Sequence, residues 1–452
     1  MVVGGLLLIT AAVRLPSELK DDESAAPIST ELCVGRPCRA NDDPRPVRGY
    51  ESPSIAVNQQ DPMHQVVADV DLVGSRCTWH VTFDGGKIWT DGELAIPPEF
   101  ERCTLNSNGF LSMSNVVMGS GSNVYVALSL ARVPAEGVDP RGPEVLGEGM
   151  LLAISTDGGR TFGPAREVIP GPDQERALVR PSLGAFPGPD NKDRLLLTMW
   201  GCGDGRCERG FLARSDDGGA TFGSPVLVTP DPGGNSPSQA VLAADGSIYM
   251  TYLRRYGDER AELLVARSGD DGKTFSAGVV DKQNNLGLRY DSAKIAVDPR
   301  RGWLYMTYTD TRDGPSRVFF RRSKNQGRSW ERVVRLRTDG GGRSFSPNLA
   351  VSPDGRIDVV FYKRGPNDAD DVFAAVSTDG GSTFAEPEKI NDVPISRKIG
   401  YWNEIGNFYV PGVASTTTSA VFAWSDTRDG TPVTNAQETL TRRLDRMPAP
   451  TS

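Results

Sequence analysis

The chain has 452 residues, of which 24% are charged and 38% are hydrophobic, and its formal net charge at pH 7 is −8. This length allows one large domain or a few ordinary ones, and the acidic balance predicts no nucleic-acid partner. Because the chain has only two histidines and no cysteine cluster of zinc-finger form, we predict no metal site, no cofactor and no serine–histidine triad.

The first 48 residues are predicted to lie outside the folded domain. Met1 to Val13 carry no charge, and Arg14 ends this run. The run is shorter than the roughly 20 residues of a membrane span. It is typical of the apolar core of a signal peptide, although no basic region precedes it, and a buried strand is the alternative. Residues 14–48 are polar and rich in proline and arginine, as in a flexible leader. We therefore expect a leader at 1–48, a propeller-type domain at 49–445, a tail at 446–452 and no transmembrane span in the mature chain.

One eight-residue phrase, Ser-x-Asp-x-Gly-x-Thr-Phe/Trp, organises the rest of the chain. We call its six copies the repeated turns; they begin at Thr82, Ser155, Ser215, Ser268, Ser323 and Ser377. Their third positions lie 73, 60, 53, 55 and 54 residues apart, which is typical of a repeat architecture. The phrase fits a hairpin turn, because aspartate accepts backbone hydrogen bonds two residues on and glycine adopts positive φ.

Two apolar elements precede the repeated turn in each unit. One has the form Ser-Pro-x-apolar-Ala-Val, as in Ser52 to Val57. The other is rich in tyrosine and β-branched residues, and its seven copies are Val66–Val70, Val124–Leu128, Leu195–Trp200, Ile248–Tyr252, Leu304–Thr309, Ile357–Tyr362 and Ala420–Trp424. Each unit is therefore predicted to contain three strands, then the repeated turn, then a fourth strand. The chain is predicted to be an all-β propeller of seven four-stranded antiparallel blades.

The repeated turns match the Asp-box, also called the BNR repeat, so the chain resembles the sialidase (neuraminidase) superfamily of β-propellers. The resemblance implies that these turns join the third and fourth strands, away from the active site. Known sialidases have six blades, so a six-bladed ring with the unit after Tyr401 merged or appended stays open. The N-terminal segment can complete the last blade and remove an open edge.

The six cysteines are predicted to form three disulfides, which indicates an exported protein, secreted or extracytoplasmic. The predicted strand order places Cys77 and Cys103 on one face, and Cys202 and Cys207 on either side of one loop there. The three predicted pairs are Cys33–Cys38, Cys77–Cys103 and Cys202–Cys207.

Cations concentrate where first strands begin and second strands end, on the face opposite the repeated turns. They are Arg254, Arg255, Arg289, Arg312, Arg343, Lys363, Arg364 and Arg428, and the phrase Asp-Thr-Arg-Asp-Gly occurs twice among them, at Asp310–Gly314 and Asp426–Gly430. Arginines that converge on a channel mouth predict an anionic ligand, such as sialic acid, a uronic acid, or a sulfated or phosphorylated glycan. The alternative is that each aspartate caps its own loop and each arginine pairs with the adjacent blade.

The resemblance also implies a chemistry: three arginines bind the substrate carboxylate, a tyrosine polarised by a glutamate is the nucleophile, and an aspartate is the acid/base. Glu51 stands where the first arginine is expected, and we expect its charge to repel a substrate carboxylate. The residues that match the other roles in chain order are Arg289 and Arg343 for the arginines, Tyr401 and Glu404 for the nucleophile pair, and Asp69, with Asp61 and Asp71 as alternatives, for the acid.

Two functions follow from these residues. The first is an exported, sialidase-like glycoside hydrolase acting on terminal anionic sugars, with Glu51, Arg312, Arg364 and Arg428 beside Arg289 and Arg343 in the substrate-binding set. The second is a non-catalytic propeller that binds a glycan or a protein at the same mouth. In either case we expect the partner to be an anionic glycan or glycoconjugate and the protein to be a monomer.

Overall fold

Each of the seven apolar stretches forms the second strand of its own antiparallel sheet, and the seven sheets form the blades of a β-propeller. The computed structural model describes residues 36–41, 43–103, 114–133, 149–170, 177–203, 206–229, 238–256, 260–284, 293–338, 341–365, 368–400 and 410–447. These residues belong to one unit, Leu32–Ser452. In these ranges the helical element is a 3₁₀ turn at Pro189–Asn191, and none of the helical structure has the length and apolar character of a membrane span.

In the first six blades the strands pair in the order of the sequence, and the first strand of every blade lines the central cavity. The first blade contains β2 (Tyr50–Val57), β3 (Gln65–Asp71), β4 (Arg76–Thr82) and β5 (Thr90–Glu93). The second contains β6 (Ser114–Met118), β7 (Val124–Leu130), β8 (Gly149–Ser155) and β9 (Arg166–Ile169). The third contains β10 (Ala177–Pro187), β11 (Asp193–Gly203), β12 (Arg206–Ser215) and β13 (Val226–Leu227).

The next three blades repeat this order. The fourth contains β14 (Val241–Leu242), β15 (Ile248–Tyr256), β16 (Arg260–Ser268) and β17 (Ser276–Asn284). The fifth contains β18 (Lys294–Val297), β19 (Leu304–Asp310), β20 (Arg317–Ser323) and β21 (Val334–Arg335). The sixth contains β22 (Ser344–Val351), β23 (Ile357–Arg364), β24 (Ala369–Ser377) and β25 (Glu388–Lys389), and β26 (Ile395–Ser396) also pairs with β24.

The last blade joins the two ends of the chain. It contains β27 (Gly412–Ser415), β28 (Ser419–Asp426), β29 (Glu438–Asp445) and, outermost, β1 (Cys38–Arg39). Arg39 and Arg48 both pair with the buried Glu438 of β29. The propeller therefore extends upstream of residue 49, into the stretch expected to be a flexible leader, because β1 covers an edge that would otherwise stay open.

The repeated turns share one hydrogen-bonded conformation, seen clearly in the third copy. Ser215 Oγ donates to Asp217 Oδ1 (2.7 Å), and the amide of Gly219 donates to Ser215 Oγ (2.9 Å). Thr221 donates to Asp217 from its amide (2.9 Å) and from Oγ1 (2.6 Å). All six turns connect third and fourth strands. They define the turn face of the propeller, and we call the opposite face, where second strands end, the mouth face.

Each repeated turn also packs against the preceding blade. Gly219 has φ +83°, and a Cβ there would lie 2.6 Å from Leu152 of the second blade, so both backbone angle and space require glycine. The aromatic residue of the turn packs in the same direction: the rings of Phe162 and Trp79 have centroids 5.4 Å apart. The phrase therefore closes a hairpin and fixes one blade on the next.

Three inner strands begin with a bulge on the mouth face. Ser52, Arg180 and Ser346 each precede a proline and have φ of +53°, +54° and +50°. Strand register shifts at each of these points. Left-handed backbone is uncommon for residues other than glycine, and bulges re-aim side chains next to functional sites. The Ser-Pro element thus shapes the mouth-side rim of the channel.

Candidate functional site

The Asp310–Gly314 loop lies on the mouth face at the end of β19. Asp310 Oδ1 accepts a hydrogen bond from the amide of Arg312 (2.9 Å), which closes the loop. The guanidinium of Arg312 pairs with Asp310 and, 2.7 Å away, with Asp281 of the fourth blade. Asp281 also accepts a hydrogen bond from Tyr308 (2.8 Å). Arg312 therefore bridges the fourth and fifth blades. These are the contacts expected if the aspartate caps its own loop and the arginine pairs with the adjacent blade.

The Asp426–Gly430 loop and Arg364 also have guanidinium groups paired with carboxylates of the protein. Asp426 Oδ1 accepts from the amide of Arg428 (2.9 Å), whose guanidinium reaches Asp392 at 2.7 Å. Arg364 lies 2.8 Å from Asp370, and burial raises the pKa of that carboxyl. Each of these guanidinium groups is thus held by carboxylates of the protein, with which an anionic ligand would compete.

Arg343 differs from them. It stands immediately before β22 and is exposed, while its carbonyl accepts from the amide of Arg364 (2.8 Å). Within the described ranges its guanidinium makes no hydrogen bond or ion pair. Arg254 pairs with Glu262 at 2.8 Å. Arg289 and the side chain of Arg255 lie outside the described residues.

Glu51 is buried at the mouth-side start of β2, with 1% of its surface exposed. Gln437 donates to its Oε2, whereas its Oε1 is buried without a hydrogen-bond partner. Burial raises the pKa of Glu51 well above its ordinary value, so the group is favoured as a neutral acid. The charge repulsion expected from the sequence is therefore reduced by the same burial.

Asp69 belongs to a buried polar network of the first blade. Its carboxylate accepts hydrogen bonds from Thr78 (2.5 Å) and from Thr439 of the last blade (2.5 Å), and it lies 3.0 Å from His80 Nε2. Burial opposes the charged imidazolium, but Asp69 and Asp91 outweigh it and raise the pKa of His80 to about 10. Both oxygens of Asp69 are engaged in holding these strands together.

The other two aspartate candidates are placed differently. Asp61 lies in the turn after β2, on the turn face, where its Oδ1 accepts from the amide of Met63 (3.1 Å). Asp71 is buried and pairs with Arg45 and Arg76, each at 2.6 Å. Within the described ranges, no three histidine, cysteine, aspartate or glutamate side chains are grouped as metal ligands are.

Tyr401 and Glu404 lie outside the described residues, so their pairing stays a prediction. A second tyrosine, which sequence reasoning missed, lies near Glu51. Tyr362 is 4% exposed, and burial together with the nearby Glu51, Asp370 and Asp426 raises its pKa. Tyr362 ends an apolar stretch, so the sequence predicts a core residue. No neighbouring residue in the sequence indicates a role in a site.

Two more arginines of the mouth face, Arg317 and Arg335, were also missed. Arg317 begins β20, and Arg335 lies in β21 opposite Phe319. Third strands begin on the mouth face just as second strands end there, so the strand assignment contained the signal for Arg317.

The disulfide Cys77–Cys103 is formed, with Cα atoms 5.1 Å apart. It ties β4 to the segment that leads out of the first blade. Cys202 and Cys38 are also disulfide-bonded, and the strand register places Cys202 opposite Cys207. Cys33 and the side chain of Cys207 lie outside the described residues.

A cavity of about 520 Å³ lies on the propeller axis, lined by inner strands of all seven blades. It extends to the turns that follow β2 and β6, including Gln59, Gln60 and Ser120, and so lies towards the turn face. Its described lining contains no aspartate, glutamate, lysine or arginine. The charged groups of the mouth face are thus separate from this neutral channel.

No family model matches the chain. A xyloglucanase of Paenibacillus sp. is 28% identical over 148 residues, which is 31% of this chain and 14% of that protein. The chain therefore spans only a small part of the length of this relative.

Solved structures share the architecture. An ulvan lyase of a new polysaccharide lyase family, bound to -[GlcA(1-4)Rha3S]-, has a TM-score of 0.53 at 12% identity and covers 87% of this chain and 93% of its own. A protein of unknown function from Dyadobacter fermentans has a TM-score of 0.51 at 14% identity, covering 78% and 96%. The Hadza microbial sialidase Hz136 has a TM-score of 0.47 at 16% identity, covering 85% and 74%.

The predicted β-propeller fold is confirmed, and this chain has seven blades. The ulvan lyase and the Dyadobacter fermentans protein share this fold.

Proposed function

We propose that the protein recognises an anionic glycan at its mouth face and hydrolyses the bond to its terminal sugar. The observation that carries the proposal is the concentration of guanidinium groups on this face of an acidic chain, with Arg343 exposed and unpaired among the described residues. Guanidinium groups bind carboxylates and sulfates through paired, charge-assisted hydrogen bonds. The ulvan lyase with the same fold holds a polysaccharide with a uronic acid and a sulfated sugar.

In this proposal, Arg343 and Arg289 bind the anionic group, while Arg312, Arg364 and Arg428 hold the loops around it. Tyr401 is the nucleophile and Glu404 its polarising partner, as the resemblance to sialidases implies. Burial raises the pKa of Glu51 and favours its neutral form, so Glu51 repels an anionic sugar at the same rim less than an ionised carboxylate does. The disulfide Cys77–Cys103 supports an exported location.

A second candidate function is binding without catalysis. It is favoured by the aspartates of the first blade: Asp61 lies on the turn face, and Asp69 and Asp71 are committed to buried hydrogen bonds and ion pairs. A proton donor must be free to reach the glycosidic oxygen. The position of Asp61 and the contacts of Asp69 and Asp71 prevent this.

Turnover separates the two candidates. Purified protein is incubated with fluorogenic sialosides, uronides and neutral glycosides. The Arg343→Ala and Tyr401→Phe variants are assayed in parallel as controls. Release from an anionic substrate that both variants reduce supports the hydrolase. No release from any substrate, with binding to acidic glycans retained on an array, overturns the hydrolase and supports the binding protein.

A further inference from the structure

The seam between the fifth and sixth blades carries a second kind of arginine cluster. Arg317 Nη1 donates to Ser316 O (3.0 Å) and to Gly342 O, so its guanidinium lies against the peptide that precedes Arg343. Arg335 lies beside Arg317 on the neighbouring strand, since β20 and β21 pair at Phe319 and Arg335. Two guanidinium groups, those of Arg317 and Arg335, therefore lie together at this seam, beside the backbone of Arg343.

Their charge is poorly compensated. The carboxylate that faces them among the described residues is Asp313, whose Oδ2 is 3.6 Å from Arg335 Nη1 and which is itself 45% exposed. Arg312, in contrast, has a carboxylate at 2.7 Å and another in direct contact. Burial and the adjacent cation of Arg335 lower the pKa of Arg317, as expected where positive charges repel one another.

The cluster keeps hydrogen-bond donors for a ligand. Arg317 uses only Nη1 for backbone carbonyls, and the side chain of Arg335 is 34% exposed. Guanidinium groups bind anions that carry several oxygens, such as sulfate and carboxylate, in a paired geometry. Relief of the repulsion between Arg317 and Arg335 adds to this attraction.

We propose that Arg317 and Arg335, next to Arg343, form a subsite for a sulfate or carboxylate group along an acidic polysaccharide chain. The proposal rests on glycan recognition at the mouth face and extends it. Because β20 and β21 are the outer strands of the fifth blade, the subsite lies off the propeller axis. It therefore contacts a residue of the polymer other than the terminal sugar, and it favours a chain over a single monosaccharide.

The test measures binding of the whole protein to three polymers: dextran sulfate, polygalacturonate and neutral dextran. The variants are Arg317→Gln and Arg335→Gln, and the matched control is Arg328→Gln, an exposed arginine of the fifth repeated turn on the opposite face. We expect binding to at least one anionic polymer, none to dextran, and affinity that falls as salt rises from about 50 to about 200 mM. Each seam variant should weaken binding about tenfold, the scale of a charge-assisted hydrogen bond, and Arg328→Gln should not.

The outcomes distinguish the proposals. A preference for dextran sulfate or for polygalacturonate identifies the anionic group, and either supports the subsite. No binding to either polymer, or an equal loss in Arg328→Gln, overturns it. If Arg317→Gln disturbs the fold, the test relies on Arg335→Gln, because the side chain of Arg335 makes no described hydrogen bond. Polymer binding without turnover keeps the subsite and overturns the hydrolase. Turnover together with polymer binding that both seam variants leave unchanged does the reverse.

Discussion

Arg356 is a fully buried side chain that joins the sixth blade to the seventh, and its removal tests how the ring is held together. Its Nε donates to Asp358 Oδ2 (3.0 Å). Its Nη1 donates to Thr417 O (2.9 Å), and its Nη2 to Thr416 O (2.8 Å) and Ser419 O (3.0 Å). Arg356→Met keeps an unbranched apolar stem but leaves one carboxylate and three carbonyl oxygens without this donor.

The structure sets the expected magnitude. Breaking a buried, hydrogen-bonded ion pair costs about 3–5 kcal/mol of unfolding free energy. Arg446 stays 3.3 Å from Asp358, and burial already raises the pKa of Asp358, so this carboxyl can take up a proton when Arg356 is lost. We therefore expect the lower end of the range, about 3 kcal/mol.

The assay is urea-induced unfolding followed by tryptophan fluorescence. The matched control is Arg300→Met, an exposed arginine on the same turn face, which should change the unfolding free energy by less than about 0.5 kcal/mol. A double variant with Asp358→Asn should lose less than the sum of the single losses, because the two side chains share one interaction. A loss below about 1 kcal/mol for Arg356→Met, or one equal to the control, would refute this role.

Three further predictions concern the disulfide, the repeated turns and Glu51. Replacing Cys77 and Cys103 with serine removes a cross-link across 26 residues and should lower the unfolding free energy by about 3.5 kcal/mol; an unchanged urea midpoint under non-reducing conditions would contradict it. In the repeated turns, burial alone would raise the pKa of Asp157, but hydrogen bonds from Thr161 and Ser155 lower it to about 2. Its stabilisation is therefore present above its unfolded pKa and is lost as pH falls from about 4 through about 2. Asp157→Asn should flatten this acid loss of thermal stability, as asparagine already holds the fifth turn at Asn325; an unchanged acid profile would argue against the assignment. Glu51→Gln should leave affinity for dextran sulfate within about twofold, since burial raises the pKa of Glu51 and favours its neutral form; a large gain in affinity would contradict this.

The fold is predictable from the sequence because its determinants are local. The hydrogen bonds of a repeated turn join residues at fixed offsets, such as Asp217 and Thr221, and the apolar stretches mark each second strand. The choice between six and seven blades depends on one pairing between strands that are distant in the sequence. The last blade has no repeated turn because its outermost strand, β1, comes from the other end of the chain.

The candidate site is less predictable because its contacts join distant parts of the sequence. Whether Arg312 is available to a ligand depends on Asp281 of the preceding blade. Asp69 reads as a candidate acid, yet it is bonded to Thr439, which is 370 residues away. Residue type and strand position predict which side chains reach the mouth face, whereas their ion-pair partners depend on the closed ring.

Turnover of an anionic glycoside panel by the purified protein tests the central claim most directly. We predict release of the terminal sugar from at least one sialoside or uronide and a large loss of that release in Arg343→Ala and in Tyr401→Phe. Absence of release from every anionic substrate, or release that both variants leave unchanged, would contradict a hydrolytic site at the mouth face.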